Sequence, residues 1–205
     1  MPDDFAPVPG DAVLLPDNQR ATVQTVYLCS EPGLAAGDEV TRWSWIVLTD
    51  GRLLEVAPRG CALYDAPDVL VRGGGPFLAL VAQDGALVRF EERVRDGSWE
   101  RRPVRLSLGG RRWRVTSTGT VSAQRLGPVP ASPWDQLRGG SQPAAIGSPR
   151  PQPLSPEPDV YFTFVATNDA DALGLGVWMT DICLAFGRRL GDSPKDAGLR
   201  IARPD

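Results

Sequence analysis

The sequence contains no histidine, and Lys195 is its only lysine beside 21 arginines. The absence of histidine excludes Ser-His-Asp and Cys-His catalysis, histidine metal ligands, and the side chain that most often serves as a general base near neutral pH. Only carboxylates, hydroxyls and thiols remain for catalysis, and no motif marks a pair of them. We therefore expect a protein that is not an enzyme, with no catalytic residue, no metal site and no cofactor.

Cysteine and long apolar runs are also scarce. Cys29, Cys61 and Cys183 are odd in number and far apart, which argues against a disulfide framework and favours buried, reduced thiols. The longest apolar run, residues 77–82, has the length of a strand, whereas a membrane-spanning helix needs about 20 residues. The N-terminal stretch MPDDFAPVPGD is acidic where a signal peptide is basic. These features predict a cytoplasmic protein without a membrane span.

Glycine and proline are abundant, with 22 and 20 residues, which suits short strands joined by tight turns. Four dipeptides that favour two-residue hairpin turns lie between strand-like runs: Asp50-Gly51, Asp84-Gly85, Asp96-Gly97 and Gly109-Gly110. Further strands are predicted at residues 11–15, 21–29 and 120–124. The sequence thus predicts a mainly β fold, an antiparallel meander of hairpins that is either barrel-like or sandwich-like.

Composition divides the chain into four regions. Residues 1–127 form the β-rich hairpin region, and residues 128–159 hold nine prolines and are predicted to be a loop or linker. Residues 160–191 are predicted to form strands at 160–166 and 175–179, then one short helix capped by Thr180 or Asp181. Its apolar side would carry Ile182, Ala185, Phe186 and Leu190. This region is too small for a core of its own, so it should pack back on the first, leaving residues 192–205 as a tail.

One predicted hairpin, VRLSLGGRRWRVTSTG at residues 104–119, crowds arginines together. With Gly109-Gly110 as the turn, Arg105 lies opposite Arg114, Leu106 opposite Trp113, and Ser107 opposite Arg112. One face then carries Val104, Leu106, Trp113 and Val115, and the other carries Arg105, Ser107, Arg112, Arg114 and Thr116. A one-residue slip would mix the two sets, so this register is the predicted one.

The Arg105–Arg114 pair needs a negative counterpart, because like charges directly across a strand pair repel each other. Residues 89–125 carry a net charge of +6 against −9 for the rest of the chain. The counterpart is either internal, from Glu91, Glu92 or Glu100, or an external anion such as phosphate. Arg105, Arg112 and Arg114 are therefore the candidate anion- or partner-binding residues.

Two further features of the sequence are candidate sites. Trp134, within the proline-rich stretch, is a candidate for docking on a partner or on its own domain. Asn168, Asp169 and Asp171 offer oxygens to a hard cation, but Leu173 stands where a calcium loop needs another oxygen ligand, so a solvated turn is expected.

Two segments, WSWIVLTDGRLLEV and RPVRLSLGGRRWRVTSTGTVSAQRLGPVP, resemble a bacterial domain-of-unknown-function family, numbered 4178. The similarity covers roughly residues 10–130 and lies in a tryptophan-bearing strand before a leucine-rich one, followed by Gly110, Trp113, Val115, Gly119, Thr120, Gly127 and Pro130. The resemblance implies a bacterial protein encoded among stress-response or envelope-maintenance genes. It implies no established activity and no catalytic residue.

Three functions remain open from the sequence. The first is a non-catalytic adaptor or scaffold module that binds another protein in a stress-response or envelope-related system. The second is a polyanion binder that contacts nucleic acid or an anionic head group through the arginine-rich hairpin face. The net charge of −3 disfavours nucleic acid as the partner. The third is an enzyme that uses two carboxylates brought together by the fold.

Overall fold

The structure of the chain is a computed structural model. It describes residues 5–31, 41–58, 60–65, 68–71, 105–108, 111–128, 152–153, 159–166, 170–177 and 181–202. The predicted turns at Asp84-Gly85, Asp96-Gly97 and Gly109-Gly110 lie outside the described residues. The same holds for the apolar run 77–82, for Trp134, and for Glu91, Glu92 and Glu100.

The described part of the chain contains β-strands and no helix. The strands are β1 Ala12–Leu14, β2 Arg20–Glu31, β3 Thr41–Leu48, β4 Leu53–Ala57, β5 Gly60–Tyr64, β6 Asp68–Val71, β7 Arg105–Leu108, β8 Arg111–Leu126, β9 Gln152–Pro153, β10 Asp159–Ala166, β11 Asp171–Val177, β12 Asp181–Gly191 and β13 Arg200–Ala202. Within these residues, no helix is long and apolar enough to cross a membrane.

The strands form one antiparallel sheet, which confirms the predicted mainly β fold. Its order is β13-β1-β2-β3-β4-β5-β12-β11-β10-β8-β7, with β6 on β12 and β9 on β8. β8 also pairs with β2, for example Tyr27 with Arg125, so the sheet bends back on itself. The pairings β10–β8 and β12–β5 attach the C-terminal strands to the first β region.

The hairpin at Asp50-Gly51 is present, but its loop is longer than predicted. The amide of Leu48 donates to the carbonyl of Arg52, and the amide of Gly51 donates to that of Leu48. The loop therefore comprises three residues, 49–51, with Gly51 at a φ of 87°. A three-residue hairpin commonly ends with glycine in this left-handed conformation, so Asp-Gly predicted the hairpin correctly but not its loop length.

Alternation along β3 and β4 buries both faces of the sheet. On β3, Trp43, Trp45 and Val47 point to one side and Ile46 and Leu48 to the other. The first side contributes to an aromatic cluster and the second to an aliphatic cluster. The aromatic cluster consists of Tyr27, Cys29, Trp43, Trp45, Val47, Leu53, Ala62, Tyr64, Ala172 and Ala185. The aliphatic cluster consists of Phe5, Val13, Leu15, Ala21, Val23, Val26, Ile46, Leu48, Leu54, Val56, Cys61, Leu63, Ala197 and Leu199.

The predicted C-terminal helix is not confirmed, because its residues form strand β12. Ile182, Ala185, Phe186 and Leu190 fit a helical period, but the segment also alternates, and β12 pairs with β11, β5 and β6. Gly187 favours a strand over a helix at this position, because its missing side chain lets β12 pair closely with β5. A Cβ on Gly187 would lie 2.2 Å from the carbonyl oxygen of Leu63, so the backbones of β12 and β5 approach more closely than any side chain allows.

The prediction of a C-terminal tail from residue 192 is wrong. Residues 193–199 form consecutive turns, closed by bonds such as Ala197 N–H to the Ser193 carbonyl, and β13 then pairs with β1. Ala197 is 2 % and Leu199 6 % exposed, and both belong to the aliphatic cluster. Ala197 and Leu199 thus complete a core that is otherwise built by distant strands.

The prediction of buried, reduced cysteines agrees with the structure at Cys29 and Cys61. Cys29 and Cys61 are buried thiols, and neither forms a disulfide among the described residues. In β12, Cys183 pairs with Gly176 of β11 and with Val69 of β6.

Candidate functional site: a charged cleft beside the arginine hairpin

The predicted register of the arginine hairpin is confirmed. Arg105 lies opposite Arg114, Leu106 opposite Trp113, and Ser107 opposite Arg112. Trp113 is completely buried, whereas Arg112 and Arg114 are exposed. The alternation of these three residues therefore separates an arginine side from a core side as the sequence predicted. The Trp113 ring packs on Phe186 of β12, with ring centroids 5.9 Å apart.

A cleft of about 650 Å³ lies beside this hairpin, on the side of the sheet that Trp113 faces. Arg111 and Phe186 belong to its wall, and Leu63 supplies a buried apolar surface. Its lining residues are Asp17, Gln19, Arg52, Leu63, Asp65, Arg111, Phe186, Gly187 and Arg188. The volume is within the usual range of about 300–1,000 Å³ for ligand sites. Both charge signs and two apolar side chains thus meet in one concave surface.

Each arginine of the cleft forms an ion pair with an aspartate. Arg111 Nη1 lies 2.7 Å from Asp171 Oδ2, and Arg188 Nη2 lies 3.2 Å from Asp17 Oδ2. Arg52 Nη2 lies 2.7 Å from Asp50 Oδ2. Positive charge is therefore matched by carboxylates from the same chain, although the local sequence around Arg111 is strongly basic.

Strand register brings these pairs together from distant parts of the chain. Asp171 begins β11 and is the cross-strand partner of Arg188 on β12, so it lies between Arg188 and Arg111. Asp17 belongs to the turn between β1 and β2, where its carboxylate also accepts a hydrogen bond from the Gln19 amide. The Gln19 side chain in turn accepts one from Arg52 Nη1 at 3.1 Å. A continuous line of polar groups thus runs from Arg111 to Asp50.

The members of each ion pair differ in exposure. Side chains of Arg111 and Arg188 are 59 % and 51 % exposed, while those of their partners Asp171 and Asp17 are only 25 % and 35 % exposed. In the third pair the aspartate is the more exposed member: the Arg52 side chain is 24 % exposed and that of Asp50 is 45 % exposed. In the Arg111 and Arg188 pairs the guanidinium group is thus the more exposed partner, and in the Arg52 pair it is the carboxylate.

Asp17 in the cleft and Asp50 beside Arg52 both have a lowered pKa, which favours the ionised form. Partial desolvation alone would raise the pKa of Asp17, but the Gln19 amide and the Arg188 guanidinium outweigh it and lower the pKa. Partial desolvation also raises the pKa of Asp50, but hydrogen bonds from the Arg52 side chain and amide outweigh it, so the pKa is again below its usual value. A general acid needs the opposite shift, so Asp17 and Asp50 are suited to binding positive charge.

A second polar group, Glu55, lies inside the sheet on the side of the aromatic cluster. It is 7 % exposed, and its Oε2 accepts a hydrogen bond of 2.7 Å from the indole N–H of Trp45. Burial raises the pKa of Glu55, and the Trp45 hydrogen bond opposes this rise only in part. Burial together with the nearby Glu55 also raises the pKa of Tyr64, and that of Cys61 rises to about 12. Cys61 is consequently a poor nucleophile.

The structure places the predicted site residues differently from expectation. Arg112 and Arg114 do not line the cleft, because they lie on the side opposite Trp113, whereas Arg111 shares the side of Trp113 and does. Arg105 is paired with Arg114 as predicted. Asp171, expected in a solvated turn, supplies the counter-charge to Arg111. The proposed counter-charges Glu91, Glu92 and Glu100, and the docking residue Trp134, lie outside the described residues.

Sequence reasoning missed Arg111, Arg188 and Glu55. The signal for Arg111 was its position two residues before Trp113, which puts it on the core side at the end of a strand. The signal for Glu55 was an acid enclosed by leucine and valine in LLEVA. Arg125, counted among the basic residues of this region, is 5 % exposed, so the charge excess overstates the basic surface. Within the described residues, no three cysteine or acidic side chains are grouped as metal ligands.

Comparison with protein-family models, with curated proteins and with solved structures finds no match for this chain. The resemblance to the bacterial family numbered 4178 stays a prediction that these comparisons do not test.

Proposed function

We propose that this protein is a non-catalytic interaction module that binds a segment of a partner protein in the charged cleft. The observation that carries the proposal is the composition of the cleft, where guanidinium and carboxylate groups surround Phe186 and Leu63. A polypeptide segment offers both charge signs and apolar side chains, so it matches all three. Protein interfaces combine an apolar centre with a polar rim in the same way.

A polyanion binder is supported less well by this geometry. The arginines of the cleft are compensated by Asp17, Asp50 and Asp171, and a chain of phosphates would have to approach these carboxylates. Arg112 and Arg114 are exposed on the other side of the hairpin. Because these two arginines could contact phosphates, polyanion binding is the second candidate function. Binding of that kind would weaken steeply with salt.

A carboxylate-based enzyme also has a structural candidate, because Asp17 and Asp65 both line the cleft. The lowered pKa of Asp17 suits a charge partner and is opposite to that of a general acid. The interaction module is therefore the function that we put first, within the kind of multi-protein bacterial system that the family resemblance implies.

The test is affinity purification of the full chain from the organism that produces it, with chemical cross-linking and quantitative mass spectrometry. Wild type is compared with the Arg111→Glu/Arg188→Glu double variant, in which the two most exposed of the three cleft arginines are reversed in charge. Arg42→Glu is the matched control, because Arg42 is exposed near the opposite end of β3 from Asp50.

We expect at least one protein to be recovered with wild type and with the Arg42→Glu control, and to be reduced about tenfold or more with the double variant. A tenfold loss corresponds to about 1.4 kcal/mol, which reversal of two contact charges should exceed. Recovery of the same proteins in equal amounts by all three chains would exclude the cleft as the binding surface.

A further inference from the structure

Among the three paired arginines of the cleft, Arg111 and Arg188 are the most exposed. Each extends further into solvent than the aspartate that pairs with it. An approaching partner therefore meets guanidinium groups first at this end of the cleft. A guanidinium group presents a planar fork of N–H donors that matches a carboxylate, and it binds such groups in a bidentate manner.

We infer that the partner segment is acidic, with carboxylate side chains that bind Arg111 and Arg188 and an apolar side chain that packs on Phe186. This inference rests on the proposed function and specifies the chemistry of the partner. Phe186 is half-buried against Trp113, so part of its ring is available to an incoming apolar side chain.

Asp171 and Asp17 then act as internal competitors of the partner. Each forms an ion pair with a guanidinium group that the partner's carboxylates would also bind. The pairs are surface-exposed, and such pairs contribute little to stability, so a partner can displace them at small cost. Removing the carboxylate of Asp171 should therefore strengthen binding, whereas a purely structural ion pair would give no gain in affinity when broken.

The experiment measures fluorescence anisotropy of two labelled hexapeptides, EELFEE and KKLFKK, which share an apolar centre and differ in charge. We expect wild type to bind EELFEE about tenfold or more tightly than KKLFKK. Asp171→Asn should raise the affinity for EELFEE about twofold to fivefold, the range expected from an exposed ion pair. Arg111→Glu should lower it about tenfold, and Arg111→Lys, which keeps the charge but not the fork, should lie between that variant and wild type.

The matched control is Asp192→Asn, which breaks the exposed Asp192–Arg189 ion pair at residues that do not line the cleft. It should leave the affinity for EELFEE unchanged. Circular dichroism spectra of all variants establish that the sheet is retained.

Equal or tighter binding of KKLFKK, no binding of either peptide, or an unchanged affinity in Asp171→Asn would overturn the inference. Tighter binding of a labelled single-stranded oligonucleotide than of EELFEE would also overturn it and favour the polyanion alternative. The proposed function fails separately, if the double variant Arg111→Glu/Arg188→Glu recovers the same cellular proteins as wild type. If the recovered partner depends on both arginines but has no acidic segment, the proposed function stands and the inference of an acidic partner is wrong.

Discussion

Carboxylates occur in two contrasting environments in this protein. Glu55 lies inside the sheet, where burial raises its pKa and the neutral indole N–H of Trp45 donates a hydrogen bond to it. Asp17 lines the cleft and Asp50 pairs with the cleft residue Arg52, and guanidinium and backbone N–H groups lower the pKa of both. The same functional group is thus stabilised as a neutral acid in one region and as an anion in the other.

The difference shows which region can exchange partners. Inside the sheet, Glu55 is enclosed by apolar neighbours on β4 and ionising it is costly, so its environment is set by the fold. At the cleft, water already solvates part of each ion pair, so replacing one carboxylate by another costs little. Three predictions examine this contrast, beginning with the largest effect.

Gly187 joins the two regions, because it lines the cleft and contacts the backbone of Tyr64 from the aromatic cluster. In Gly187→Val the new Cβ would lie 2.2 Å from the Leu63 carbonyl oxygen, so β12 and β5 must separate. We expect the free energy of unfolding in urea to fall by about 3 kcal/mol. The control is Gly174→Ala, whose Cβ would meet the Tyr64 ring at an ordinary 3.4 Å. It should change stability by less than about 1 kcal/mol, and an equal loss in both variants would contradict the close-approach argument.

Glu55→Gln should stabilise the protein above neutral pH. The pKa of Glu55 is raised in the folded state, so the folded protein holds a proton that the unfolded chain has released, and stability falls as pH rises above about 4.5. The slope from this single group reaches at most about 1.4 kcal/mol per pH unit. Glutamine keeps an acceptor for the Trp45 N–H and does not titrate.

The check is urea unfolding of wild type and Glu55→Gln between about pH 5 and pH 8. The stability difference in favour of the variant should widen with pH over this range. A constant difference would mean that Glu55 has the same protonation in the folded and unfolded states, in conflict with its burial.

Asp50→Asn should have the smallest effect. The Arg52 side chain and amide lower the pKa of Asp50, so its contribution is present above the unfolded pKa near 3.8 and disappears as pH falls through the folded value. We expect a loss below about 1 kcal/mol at neutral pH, measured by thermal unfolding, because the pair is partly exposed. Asparagine keeps the preference of this position for a turn before Gly51. A larger loss of stability, or a loss that persists in strong acid, would contradict this prediction. It would mean that Asp50, like Glu55, has an environment set by the fold and not by an exposed ion pair.

The prediction of the fold succeeded where local pattern and turn chemistry agree. Asp50-Gly51 between two strand-like runs predicted β3, β4 and their hairpin, and the two sides of the arginine hairpin followed from its predicted turn. The prediction failed at residues 181–191, where helical and alternating patterns coexist and only the pairing with β11 and β5 decides between them. It failed again at Ala197 and Leu199, whose burial depends on a core built by distant strands.

The candidate site was predictable only in part. The sequence identified the arginine hairpin but assigned its function to Arg105, Arg112 and Arg114, because the charges on its polar side were the visible feature. Arg111 gains its importance from Asp171 and Phe186, which lie 60 or more residues away and reach it through β11 and β12. No local pattern carries that information.

The amino-acid sequence by itself determined the antiparallel strands, the division of the hairpin into two sides, and the absence of histidine chemistry, because each depends on residue type and on neighbours within a few positions. The tertiary structure alone decided which arginine enters the cleft, which aspartates compensate it, and that Glu55 is buried beside Trp45. These outcomes depend on strand order and register, which bring together residues that are remote along the chain.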